Sequence, residues 1–265
     1  MGSARRLIRW AVKWFYGVER TDTEDLRVAT KTPPRHGGTD NTAKAAPSLP
    51  ASGGVSPAEK GPPYRDPYSI QIGLDFGTAY CKCVVRDLIR DKAWVFVPGN
   101  SQTSPPFLIP SVLEASDGLL RLAGEAQTYG PNLLPHVKLA LVKVARGELD
   151  DPVLEPYRQA SGGRYASRLS SFVAVCAVYL LGNILGRVTR DLERRFPGHH
   201  PDDSIRVNMD VPVADKQSPR VEALFGRVLE TALEHADGLA SGPSLPYREL
   251  AGLEPRSSAE TPSDS

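Results

Sequence analysis

The stretch Ile70-Gln71-Ile72-Gly73-Leu74-Asp75-Phe76-Gly77-Thr78-Ala79-Tyr80-Cys81-Lys82-Cys83-Val84-Val85-Arg86 decides the reading. Positions 70–75 and 80–86 are apolar-rich, and Phe76-Gly77-Thr78-Ala79 between them is a turn signal, so the pattern predicts strand, tight turn, strand. Asp75 then stands at the end of a buried strand, followed at once by a glycine turn. A hairpin tip of this kind presents backbone N–H groups in a concave donor site suited to phosphate oxygens. Gly77 lets the backbone come close because it has no Cβ. Asp75 is placed to hold Mg²⁺ through its waters, since that ion keeps much of its hydration shell. Thr78 adds a hydroxyl donor.

Outward from the hairpin, the pattern stays mixed. Ala93 to Val97 reads as a short strand, and Ile109 to Glu114 with Leu119 to Ala123 as a pair around the Asp117-Gly118 hairpin signal. From Ser167 to Phe196 the period is helical, with Gly182 and Gly186 weakening its middle, and Pro197-Gly198 stops it. Ile205 to Val211 returns to strand, and Val221 to His235 is a second helix. No internal repeat is present.

Four segments, in order, resemble the heat-shock-70 chaperones within the heat-shock-70, actin and sugar-kinase superfamily. The Asp75-to-Tyr80 hairpin resembles the first phosphate motif. Ile109-Pro110-Ser111-Val112-Leu113 and Gly124-Glu125-Ala126 resemble the next strand pair and the turn after it. His136-Val137-Lys138-Leu139 resembles the segment with the catalytic lysine. Ile205 to Pro212, followed by Arg220, resembles the strand, switch proline and downstream arginine.

The resemblance implies an α/β fold: the first lobe of an actin-like ATPase, ribonuclease H-like, with a mixed sheet flanked by helices. It implies ATP and Mg²⁺ as cofactors. Gly77, Thr78, Ala79 and Tyr80 would contact nucleotide and Asp75 the metal. Lys138 and Asp75 would be catalytic, with positive charge beside the transferred phosphoryl group and the attacking water held in place. Pro212 and Arg220 would be the switch. As plain sequence, Lys138 can equally be a solvated lysine and Pro212 a strand terminator.

The resemblance also breaks. Ala79 stands where that branch usually has a second threonine, one hydroxyl fewer and worth about 0.5–1.5 kcal/mol. No second Asp-x-Gly-Gly-Gly-Thr loop and no glycine-rich adenosine loop occur in the 265 residues. Glu254-Pro255 matches the family's glutamate-proline element only in those two residues. Without a second lobe to clamp the base and exclude water, ATP turnover by this chain alone is not expected. The lobe would come from a downstream segment or a second chain.

The remaining sequence bounds the alternatives. Formal net charge is +1 and 40% of residues are apolar, so no global charge favours nucleic acid, and the folded region has no basic stripe with stacking aromatics. Residues 4–17 read as a basic amphipathic helix within domain 1–20. Leu7, Trp10, Ala11, Trp14 and Phe15 fall on one side, and Arg6, Arg9 and Lys13 on the other. Such a helix suits an anionic membrane surface, a partner, or its own domain. Residues 21–68, rich in Pro and Gly, read as a disordered linker, 69–238 as the folded lobe, and 239–265 as a disordered tail.

Cys81, Cys83 and Cys176 form no disulfide framework and fit a reducing, cytoplasmic compartment, with peripheral membrane attachment through residues 4–17 as the variant. Cys81 and Cys83 share one face of their strand as buried thiols. His199-His200 sits in a polar turn without further metal ligands. Three functions remain: an ATP-binding chaperone-type module, a non-catalytic membrane-tethered scaffold or interaction protein, and a truncated, non-functional fragment.

Overall fold

Alternation with period two and a positive end-stop at glycine produce the first two long strands. In a computed structural model, which describes residues 10–12, 65–99, 103–123, 132–162, 169–210, 218–242 and 244–255, they are β2 (Ser69–Phe76) and β3 (Tyr80–Asp87). The first strand in chain order, β1, is Trp10–Val12. Then follow β4 (Lys92–Val95), β5 (Ile109–Pro110), β6 (Leu113–Ser116), β7 (Leu119–Leu122) and β8 (Leu133–Leu134). Helices α1 (Val137–Arg146), α2 (Glu155–Ser161) and α3 (Leu169–Arg195) precede β9 (Ser204–Met209), and α4 (Pro219–Leu239) follows it. A short strand β10 (Ser244–Pro246) and a 3₁₀ turn at Tyr247–Leu253 come last.

The protein is mixed α/β. Among the described residues the main sheet runs β1-β9-β2-β3-β4, with β5 on β3. β2 and β3 are antiparallel, as are β3 and β4, whereas β9 lies parallel to both β2 and β1. A second sheet has the order β10-β7-β6-β8.

Burial follows the alternation. Ile70, Ile72, Leu74 and Phe76 of β2, Cys81, Cys83 and Val85 of β3, and Ile205, Val207 and Met209 of β9 share the core with the helices. Phe76 meets Phe225 of α4 with ring centroids 6.0 Å apart. On the opposite face Tyr80, Val84, Val95 and Arg206 are exposed. All three cysteines are free and buried; burial pushes Cys81 up to about 12, against smaller pulls from the Ser111 hydroxyl and the Gly77 N–H.

Helix α3 is the spine. Its length and hydropathy alone would suit a membrane span, yet 83% of its apolar window is buried within the fold. Gly182 and Gly186, which sequence alone casts as weak points, are where α4 crosses. A Cβ on Gly186 would lie 2.1 Å from the Ala236 carbonyl oxygen, and one on Gly182 would lie 2.5 Å from Leu239 Cδ1. The helix propensity given up at these positions allows the two backbones to close. Arg190 of α3 then donates to the Ala240 and Asp237 carbonyls at the end of α4, where the helix dipole favours a cation.

Several boundaries differ from the sequence reading. Residues 10–12, expected inside an amphipathic helix, form a strand, paired in parallel with the open edge of β9 at 205–207. The rest of the 1–20 segment lies outside the described residues, as do 21–64 of the expected linker. Arg65 to Tyr68, ahead of the expected start at Ser69, also belong to the described fold. Asp203 accepts from Arg65, from the Tyr68 N–H (3.1 Å) and from the His200 N–H (3.0 Å). The expected disordered tail is structured over 244–255. β10 pairs with β7, Tyr247 packs edge-on against Phe172, and Leu250 and Leu253 are buried.

Two predictions follow from this packing. Gly186→Ala gains about 1 kcal/mol of helix propensity but must force the Ala236 carbonyl away, costing about 1–3 kcal/mol, so the urea midpoint should fall. Gly238→Ala, whose added Cβ meets nothing within 4 Å, should raise it.

Burial pushes Asp87 and Asp203 up, but Arg90 with two backbone N–H groups, and Arg65 with two more, pull harder and leave both below the ordinary carboxylate range. Folded values below unfolded ones mean their stabilisation is complete above about pH 4 and is lost as pH falls through the lower, folded values. Asp203→Asn should therefore lower the melting temperature at pH 7 and leave it less changed near pH 2; an equal loss at both would contradict the assignment.

Candidate functional site

Register places the charges at one end of the sheet. Asp75 of β2 lies directly opposite Lys82 of β3, and their side chains pair at 2.9 Å. This pairing raises Lys82 above the usual lysine value. β9 runs parallel beside β2 with Leu74 level with Met209, so the next residues, Asp75 and Asp210, emerge from neighbouring strand ends. Asp210 Oδ1 accepts the Phe76 N–H at 2.9 Å, and Oδ2 accepts Lys138 Nζ at 2.8 Å.

Lys138 reaches the group from a helix. It sits in the first turn of α1, where the helix dipole is positive and no acidic residue of the helix offsets it. Its side chain is only 10% exposed, and Nζ lies 6.0 Å from the centroid of the Phe76 ring. A lysine so placed needs a carboxylate from elsewhere, and Asp210 provides it. The strand-to-helix connection is held from behind: the buried Tyr157 hydroxyl donates to the Pro135 carbonyl at 2.9 Å, and His136 takes the left-handed conformation before the helix.

At the tip, Thr78, Ala79 and Tyr80 are exposed. Gly77 is sterically required, because a Cβ there would lie 2.1 Å from the Tyr80 carbonyl oxygen. The Ala79 carbonyl accepts the Ser111 N–H at 2.8 Å. Phe76 N–H is taken by Asp210, and Gly77 N–H faces the Cys81 sulfur. Among the described residues no backbone hydrogen bond takes the N–H of Thr78 or Ala79. The donor cradle expected of the whole bend thus narrows to these two N–H groups and the Thr78 hydroxyl.

Asp75, Gly77, Thr78, Ala79, Tyr80 and Lys138 are therefore brought to one end of the sheet. Arg220 is not among them. It lines a cleft of about 560 Å³ between the end of α1 and the starts of α3 and α4, together with Arg227, Glu254 and Pro255. Pro212 lies outside the described residues, as does Gly124-Glu125-Ala126. Among the described residues no three His, Cys, Asp or Glu side chains gather around a metal-sized space. Asp75 and Asp210 follow the paired residues Leu74 and Met209 at neighbouring strand ends.

Sequence reasoning missed Asp210 and Lys82. A signal for Asp210 existed: Ile70-x-Ile72-x-Leu74-Asp75 and Ile205-x-Val207-x-Met209-Asp210 are the same pattern, an alternating core strand ending in aspartate. Comparison with protein-family models, curated proteins and solved structures found no match.

Removing the charge from Asp210 leaves Lys138 mostly buried without its counter-ion. Asp210→Asn should cost about 1–3 kcal/mol of stability, moderated by the partial exposure of the carboxylate. Chemical denaturation of Asp210→Asn, Lys138→Met and the double variant checks this. The double should lose less than the sum of the singles; strict additivity would mean that the pair does not interact.

Proposed function

We propose that this chain is a nucleotide-binding lobe of the actin-like, heat-shock-70-type ATPase class, which takes the phosphates of Mg-ATP at the β2–β3 tip. The observation that carries the reading is the convergence of the exposed Thr78–Ala79 turn with two opposite-charge pairs, Asp75–Lys82 and Lys138–Asp210, at the shared end of parallel β2 and β9. The strand order β1-β9-β2-β3-β4, three antiparallel strands followed by parallel additions, is in keeping with a ribonuclease H-like lobe.

In this reading Thr78 and Ala79 N–H groups and the Thr78 hydroxyl hold phosphate oxygens. Mg²⁺, when bound, neutralises phosphate charge, with Asp75 and Asp210 accepting from its waters. Lys138 turns from Asp210 to a phosphate oxygen and stabilises negative charge there. Half-exposed Asp75 and exposed Thr78 leave the site open to water, so the lobe binds weakly and does not turn over ATP unaided. The base contacts and water exclusion come from a second lobe.

Calorimetric or NMR titration of the chain with ATP tests the reading. Binding is expected at roughly millimolar strength, about −4 kcal/mol, and to need Mg²⁺. Asp75→Asn should abolish the Mg²⁺ requirement along with most binding, and Lys138→Ala should weaken it about tenfold. Shifts on adding Mg-ATP should centre on Thr78 and Ala79 amides. A flat titration at several millimolar Mg-ATP, or shifts elsewhere that ignore both substitutions, would refute it.

A further inference from the structure

β9 has two unlike neighbours. β2 pairs along its whole length, from Ser69 with Ser204 to Leu74 with Met209. On its other edge only Trp10, Ala11 and Val12 pair, level with Ile205, Arg206 and Val207. These three residues are far away in sequence, with positions 13–64 intervening before Arg65. Parallel neighbours cannot be joined by a tight hairpin, so this strand is delivered by a long connection rather than by local folding.

The register is defined. It sets the bulky Trp10 and Val12 level with Ile205 and Val207, which are buried, and the small Ala11 level with Arg206, which is exposed. Three residues is the short end of strand length, so this pairing is among the weakest in the sheet. Without it, the edge of β9 would present unpaired N–H and C=O groups beside an apolar core, the condition that recruits a strand.

We propose that the outer edge of β9 is a docking slot for a parallel, apolar strand, and that Trp10–Val12 of the same chain is its resident, exchangeable occupant. Main-chain hydrogen bonds supply the affinity. Tethering in one chain raises the effective concentration of this segment over any free copy. The slot is separate from the nucleotide reading, since its occupant lies on the side of β9 away from β2.

Two experiments on the full chain decide it. Ala11→Cys with Arg206→Cys joins directly paired positions, and mild oxidation should give an intramolecular disulfide in a monomer. Its absence would overturn the assignment, and a covalent dimer would assign the occupant to a second copy and overturn the same-chain proposal.

In the second, Ala11→Pro with Val12→Pro removes strand donors and should vacate the slot. A labelled peptide of residues 4–17 should then bind this variant at least tenfold tighter than the parent chain, while hydrogen exchange of 204–209 accelerates. Equal binding to both chains, or binding to neither, would overturn it. Both tests read the slot without nucleotide, so failure here and failure of Mg-ATP binding are distinguishable.

Discussion

The parallel pairing of β2 with β9 is the constraint on which the site depends. Each strand is an alternating core strand that ends in aspartate, and the register brings both ends level, Leu74 beside Met209. Asp75 and Asp210 are therefore neighbours with like charge, an arrangement that costs energy unless each has a cation. Lys82 answers one across the hairpin and Lys138 answers the other from α1. A shift of β9 by one residue would turn Asp210 to the opposite face and put Ile205, Val207 and Met209 into water, so the core itself fixes the position of the charge.

That core is built around a helix contact no side chain could make. α4 closes on α3 at Gly182 and Gly186, bringing Phe225 to Phe76 at the base of the hairpin. Phe76 then carries three duties: its ring fills the core, its face lies near Lys138 Nζ, and its N–H binds Asp210. The tip thus rests on a buried aromatic beneath it. The tip itself spends few internal hydrogen bonds, which leaves its outer N–H groups for something else.

Much of this was legible in the sequence where a local rule sufficed. The hairpin, the long helix, β9 and α4 follow from periodicity and glycine placement, and the mixed α/β class follows from them. Three things were not legible. Gly182 and Gly186 read as helix weaknesses, because their purpose lies on another helix. The 244–255 segment read as a tail, because Leu245, Tyr247, Leu250 and Leu253 are too sparse among Gly, Pro and Ser to declare a partner. Helical periodicity placed Trp10 to Val12 in an amphipathic helix, yet an unfilled sheet edge takes those residues as a strand. In each case a long-range partner overrides a local preference. Asp210 differs, since the repeated strand-then-aspartate pattern was visible but gained meaning only once the strands were adjacent.

The charge balance narrows the kind of ligand that suits the site. Asp75, Lys82, Lys138 and Asp210 sum to zero, and each lysine already holds a carboxylate. A free anion arriving at the tip would have to compete with both carboxylates for the lysines and would leave two negative side chains adjacent and unpaired. A free cation faces the mirror problem, with two ammonium groups left over. Under the proposed function, a magnesium ion and phosphate arriving together would let all four partners exchange, carboxylates towards the hydrated metal and ammonium groups towards oxygen, without stranding a charge. The internal pairing thus sets an electrostatic threshold that any incoming charge must meet, supplied by side chains that the two strand ends and the first turn of α1 hold in place.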